Sequence, residues 1–250
     1  MSRPLTLRVG TGLRGWGDNF GTMTLLVRRP VAPTPRRPQQ AQAATATSRP
    51  TRGIPGSARV VVIGDSHTAG AFGASLKARL ASHLKGGGGK LQSFTGVPSA
   101  SVTHFLHGTD TRAGSATFHT PRLATLLDRR PRPTHLVVAL GTNMLFNSKA
   151  ENAAQIRALL AKADHFGVKV TWVGPPDVHG YGGNLAGPAP ERHFYEALRE
   201  VNSSRRLRGL GPMQLVDSRP FTAEHQTLDG VHFGGAVARR WARGVLGAAI

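Results

Sequence analysis

Ile63-Gly64-Asp65-Ser66-His67-Thr68-Ala69-Gly70 follows the apolar run Val60-Val61-Val62 and precedes a segment of helical periodicity. The β-branched run predicts a strand buried in a parallel sheet. Gly64 predicts a tight turn, and the small residues Ala69, Gly70 and Ala71 predict a helix packed close against the sheet. Ser66 then stands at the carboxyl end of a strand, where open α/β sheets place their ligands. Gly-Asp-Ser reads equally well as an ordinary turn and helix N-cap, so the rest of the chain has to decide.

Working outward, strand and helix signals alternate from Ala58 onward. Arg59 to Ile63 reads as the first strand. Ala71 to Leu84 reads as a helix with Phe72, Leu76, Leu80 and Leu84 along one face. Gly86-Gly87-Gly88-Gly89 ends it, and Leu91 to Thr95 is the second strand. The Gly-Gly-Lys90-Leu91 step is not a phosphate loop: no Ser or Thr follows the Lys, and a strand-like run follows where a helix should begin. Next come a Gly/Thr-rich loop, a helix from Pro121 to Arg129, and the buried strand His135 to Leu140, which ends on Gly141-Thr142-Asn143. A helix from Ala150 to Phe166 stops at Gly167. A strand from Val168 to Val173, a Gly-rich loop through Gly187, a helix from Ala189 to Leu207, a strand from Gln214 to Val216 and a helix from Gly234 to Leu246 complete the chain. This alternation specifies an α/β fold with a parallel sheet and helices on both faces.

Upstream, residues 1 to 57 show no sustained periodicity and gather Pro, Gln and Arg, as in Pro33-Thr34-Pro35-Arg36-Arg37-Pro38. That composition cannot bury enough apolar surface to offset its ordering entropy, so 1–57 is expected to be a disordered tail or linker and 58–250 one domain. Without a single Cys, the chain has no disulfide framework, thiolate zinc site or Cys nucleophile. No run approaches the roughly 18 apolar residues of a membrane span, and Thr22 to Val27 is too short for a signal-peptide core. Export and cell-envelope association are left open.

The formal net charge is +19. Residues 1–57 carry nine Arg and one Asp, and the remainder is still net +11. A balance this positive concentrates anionic polymers near the surface. The basic regions lack the finger spacings and aromatic-rich strands of nucleic-acid modules.

Three strand ends place small polar residues at one edge of the sheet: Ser66, Ser99 in Gly96-Val97-Pro98-Ser99-Ala100-Ser101, and Asn143. Near the C-terminus stands Leu228-Asp229-Gly230-Val231-His232-Phe233. An Asp three residues before a His, with Gly between, can fold back so that the carboxylate meets one ring nitrogen and the other faces outward as a base. Ser66 needs such a base, and the oxyanion it forms needs fixed donors.

Together these residues resemble the SGNH or GDSL-type hydrolases. Gly64-Asp65-Ser66 is similar to the first block of that family, Gly141-Thr142-Asn143 to the third, and Asp229-Gly230-Val231-His232 to the last. The resemblance spans roughly 58–250 and implies a flavodoxin-like three-layer α/β/α sandwich. It also implies a catalytic Ser66, His232 and Asp229, with an oxyanion hole from Ser66, Ser99 and Asn143 and no cofactor or metal. The second block departs from the family pattern, because Ser99 stands where the family commonly has a Gly whose main-chain N–H serves the oxyanion. A Ser supplies the same donor if the backbone there does not demand φ > 0.

Candidate substrate contacts are His67, beside the nucleophile and otherwise expected to be a solvent-exposed helix-start residue, and Asp177 and His179. The last two belong to a glycine-rich loop expected to act as a lid. Neither this pair nor His104, His107 and His119 has metal-ligand spacing. The expected activity is that of a serine esterase acting on short acyl esters, O-acetyl groups of a polysaccharide or peptidoglycan in particular. The alternatives are an O-acyltransferase using the same residues and a non-catalytic glycan or cell-wall binding module.

Overall fold

The computed structural model describes residues 53–178, 190–223, 225 and 227–250. The expected tail through residue 52 lies outside them, as do His179 and the glycines that follow it. In chain order the elements are β1 (Arg59–Gly64), α1 (Ser66–Ala69), α2 (Ala71–Gly86), β2 (Lys90–Gly96), α3 (Val102–His107), β3 (Thr111–Ala113), β4 (Ala116–Phe118) and α4 (Leu123–Leu127). There follow β5 (His135–Ala139), a 3-10 turn at Thr142–Met144, α5 (Lys149–His165), β6 (Lys169–Val173), α6 (Pro190–Leu207), β7 (Gln214–Val216), α7 (Arg219–Thr222) and α8 (Gly235–Ala249).

Five strands form one parallel sheet in the order β2-β1-β5-β6-β7. Helices α2 and α8 pack on each other, and so do α5 and α6. The two helical layers cover the sheet as a three-layer α/β/α sandwich. Burial on both faces explains why β1 and β5 read as unbroken apolar runs: Val60, Val61, Val62, Ile63, Leu136 and Val138 are wholly inaccessible.

The chain moves from β1 outward to β2 and then returns to the other side of β1 with β5. The strand order therefore reverses between β1 and β5, and a crevice opens beyond their carboxyl ends. Their register, with Gly64 beside Ala139, brings the segments carrying Ser66 and Asn143 out of the sheet side by side. A Cβ on Gly64 would collide with the Thr68 hydroxyl and lie 2.8 Å from the Ala139 carbonyl oxygen, so only glycine lets α1 fold back this tightly.

Two differences from the sequence reading stand out. Ordered structure starts upstream of 58: Ile54 is buried, its N–H donates to Ala249 O at 2.7 Å, and its carbonyl accepts from the His83 ring at 2.9 Å. The stretch read as a Gly/Thr-rich loop folds into α3 and an antiparallel β3–β4 hairpin. Among the described residues, no helix is long and apolar enough to cross a membrane.

Candidate active site

Ser66 opens α1, so its N–H, like that of any first-turn residue, has no intrahelical acceptor. Asp65 is the N-cap and accepts the His67 N–H at 3.1 Å. The Ser66 hydroxyl lies 2.9 Å from His232 Nε2, across 166 positions of chain. On the far side of the imidazole, Nδ1 is 2.7 Å from Asp229 Oδ2.

The Asp229 turn shows how so short a motif positions an imidazole. Its Oδ1 accepts the N–H groups of Val231 at 3.1 Å and His232 at 2.7 Å, while Oδ2 takes the ring. Gly230 has φ +87°, a left-handed conformation that side-chain-bearing residues rarely adopt. Leu228 N–H closes the turn on His232 O at 2.6 Å. These hydrogen bonds, from the His232 backbone first and from its ring next, pull the Asp229 carboxyl down to about 2. It is therefore an anion at any pH near neutrality and favours the proton on Nδ1, which leaves Nε2 to accept from Ser66.

Asn143 donates its side-chain amide to Ala100 O at 3.0 Å, which ties the segment after β5 to the segment after β2. An amide nitrogen carries two hydrogens, so one N–H is left to point elsewhere. Ser99 sits between these tethers with φ +60°, the one non-glycine residue in the left-handed region among the described residues. This backbone does demand φ > 0, the condition under which a Ser is a costly replacement for Gly. Thr111 of the β3–β4 hairpin braces the bend by donating its hydroxyl to Pro98 O at 2.7 Å. Replacing Ser99 with Gly relieves about 1 kcal/mol of strain but adds a comparable unfolded-state entropy. The expected result is an unfolding free energy within about 1 kcal/mol of wild type, as measured by urea unfolding.

His67 is not the exposed helix-start residue the sequence reading favoured. Only 6% of it is accessible. Its ring is directed inward, 5.1 Å from the His232 ring, 5.3 Å edge-on from Trp241 and 6.4 Å from Phe233. Burial first, and the charge of His232 second, push it down to about 3, so it stays neutral behind the His232 ring. Trp241 in turn stacks on Phe72 at 3.7 Å. Asp177 stands after β6 with its N–H held by Thr222 Oγ1 at 2.9 Å. His179 lies outside the described residues, and with it the proposed lid.

The sequence reading treated Asp65 only as a turn residue. It is 2% exposed, and burial raises its carboxyl to about 7 against the pull of hydrogen bonds from the His67 backbone and from the backbone and hydroxyl of Thr142. Asp65 thus links the Ser66 turn to the Asn143 segment. Because its folded value lies above the unfolded one, its contribution to stability is complete below about pH 4 and is lost as pH rises through about 7. Asp65→Asn should therefore gain stability relative to wild type between pH 5 and pH 8, by on the order of a few kcal/mol, in paired denaturation curves.

Among the described residues, no group of three or more His, Asp or Glu is arranged to hold a metal ion.

No protein-family model and no curated protein sequence matches the chain. Solved structures do. A candidate SGNH hydrolase from Slackia heliotrinireducens, without an established activity, superposes with a TM-score of 0.55 at 18% identity, over 77% of this chain and 98% of that one. A carbohydrate acetylesterase family member from Sinorhizobium meliloti gives 0.52 at 17%, over 76% and 96%. Axe2, an acetylxylan esterase from Geobacillus stearothermophilus, gives 0.54 at 15%, over 78% and 96%. The α/β/α sandwich of this chain is the SGNH hydrolase fold.

Proposed function

We propose that this protein is a serine esterase that removes short acyl groups, acetyl above all, from a hydroxylated polymer such as a polysaccharide or peptidoglycan. The observation that carries the reading is the 2.9 Å contact between Ser66 Oγ and His232 Nε2, with Asp229 on the opposite ring nitrogen. Ser66 Oγ attacks the ester carbonyl while its proton passes to His232 Nε2. The tetrahedral oxyanion is held by the N–H groups of Ser66 and Ser99 and the Asn143 amide, each such donor being worth roughly 3 kcal/mol. On collapse the C–O bond to the leaving alcohol breaks and His232 returns the proton to that alcohol, leaving acyl-Ser66. Water then attacks the acyl carbon, gives its proton to His232, and releases the carboxylic acid as Ser66 recovers its hydrogen.

Acetyl is the favoured acyl group because two of the structural neighbours bear acetylesterase names. The test is Ser66→Ala assayed with p-nitrophenyl acetate and with acetylated glycans, scoring acetate release. Wild type is expected to turn over both, and the variant to lose at least about 10⁵-fold. A wild type that releases no acetate from any short ester would contradict the reading.

A further inference from the structure

The two helical layers differ sharply in charge. Helix α2 carries Lys77, Arg79 and Lys85, helix α8 carries Arg239, Arg240 and Arg243, and neither contains an Asp or Glu. All but the half-buried Arg79 are exposed. Among the described residues, none of the six makes an ion pair with a carboxylate.

The opposite layer holds seven Lys and Arg but also five acids. Its cations are largely neutralised in place: Lys149 and Arg157 on Glu200 at 3.0 Å each, Arg192 on Glu196 at 3.0 Å, and Arg205 on Asp164 at 2.7 Å. An Arg-rich composition alone would have left both layers alike.

Between the α2 and α8 cations the exposed side chains are small: Ala74, Ala78, Ala81, Ser82 and Ala236. Exposed aromatic and long aliphatic side chains are absent from these two helices. Such a face offers no wedge for insertion into a bilayer and no platform for stacking nucleobases. It does offer to a polyanion a set of exposed cations that meet no carboxylate among the described residues.

The row also leads to the site. Helix α8 starts three residues after His232, and Arg239 lies about 6 Å of helical rise from that start. The Phe72–Trp241 stack joins the first turn of α2 to α8 directly behind His67.

We infer that the outer face of α2 and α8 is the docking surface for an anionic polysaccharide, the polymer whose ester group is presented to Ser66. The assignment of the ester rests on the esterase reading above, whereas the docking itself rests on the charge layout. Polymer binding to this face displaces counterions, so affinity falls steeply with salt in proportion to the cations engaged.

The test uses the full chain and a polyuronate that carries no ester, with dextran as the neutral control, across a salt series. The face variant is Lys77→Glu/Arg239→Glu/Arg243→Glu. A variant with the same charge change on the other layer is Lys162→Glu/Arg192→Glu/Arg206→Glu. The expected result is polyuronate binding without dextran binding, lost by at least about 30-fold with a shallower salt slope in the face variant and by no more than about threefold in the other. Hydrolysis of p-nitrophenyl acetate is expected to be unchanged in both.

Equal losses in the two variants would reduce the effect to net charge and overturn the inference. So would an unchanged face variant, which would assign the polymer to the nine Arg of residues 1–57. Tighter binding of single-stranded DNA or of anionic vesicles than of polyuronate would overturn the choice of polymer. Since the probe has no ester, its binding can be read even if wild type fails to hydrolyse any substrate.

Discussion

His232→Ala should lower kcat for p-nitrophenyl acetate by on the order of 10⁶-fold, with KM and far-UV circular dichroism close to wild type. The size of the effect follows from the chemistry. A Ser hydroxyl is a weak nucleophile near neutral pH, and only Nε2, 2.9 Å from Ser66 Oγ, is placed to take its proton. KM should change little because the imidazole acts on the proton in flight and does not bind the ground-state ester. The fold should survive because His232 is partly exposed, with 42% of its side chain accessible, and because its neighbours Trp241 and Phe233 remain packed on Phe72 and His67. Stopped-flow kinetics with the two proteins at equal concentration measure the ratio.

Asp229→Asn should cost about 10⁴-fold in kcat, less than loss of the base but with a more specific cause. The Asn oxygen can still accept the N–H groups of Val231 and His232, so the turn is preserved. Its amide nitrogen now faces Nδ1, 2.7 Å away in wild type, and a donor there favours the tautomer with the proton on Nε2. That proton points at Ser66 and blocks transfer. Asp229→Ala, which removes the orienting partner without imposing the wrong tautomer, should retain more activity than Asp229→Asn. The reverse order would show that Asp229 serves the turn and not the ring.

Much of this arrangement was legible before any coordinates. Apolar β-branched runs marked β1 and β5, and helical spacing marked α2 and α5, because both signals come from burying one face or two. The segments ending on Ser66, Ser99 and Asn143 could be placed at one sheet edge because a parallel sheet puts the carboxyl ends of its strands there.

Other features depended on contacts between distant residues. The burial of His67 is decided by Trp241, 174 positions along the chain, and nothing next to His67 announces it. Helix α3 was missed because it is only six residues long, too short for the spacing of Val102, Phe105 and Leu106 to repeat. The raised Asp65 carboxyl comes from its burial, which nothing next to it in the sequence announces. The positive φ at Ser99 could be posed as a question from sequence but not answered.

The charge division between the layers was likewise hidden in a total. A net charge of +19 is the same number whether or not the cations are paired. Only the assembled helices separate the cations of α5 and α6 that meet a carboxylate from those of α2 and α8, which meet none among the described residues.

The most direct measurement of the central claim is labelling of the full chain with a fluorophosphonate, followed by peptide mass spectrometry. The account predicts one adduct per chain, on Ser66, with none formed on Ser66→Ala and labelling slowed by several orders of magnitude in His232→Ala. A wild-type chain that takes up no label, or takes it up at another residue at the same rate in all three proteins, would contradict it.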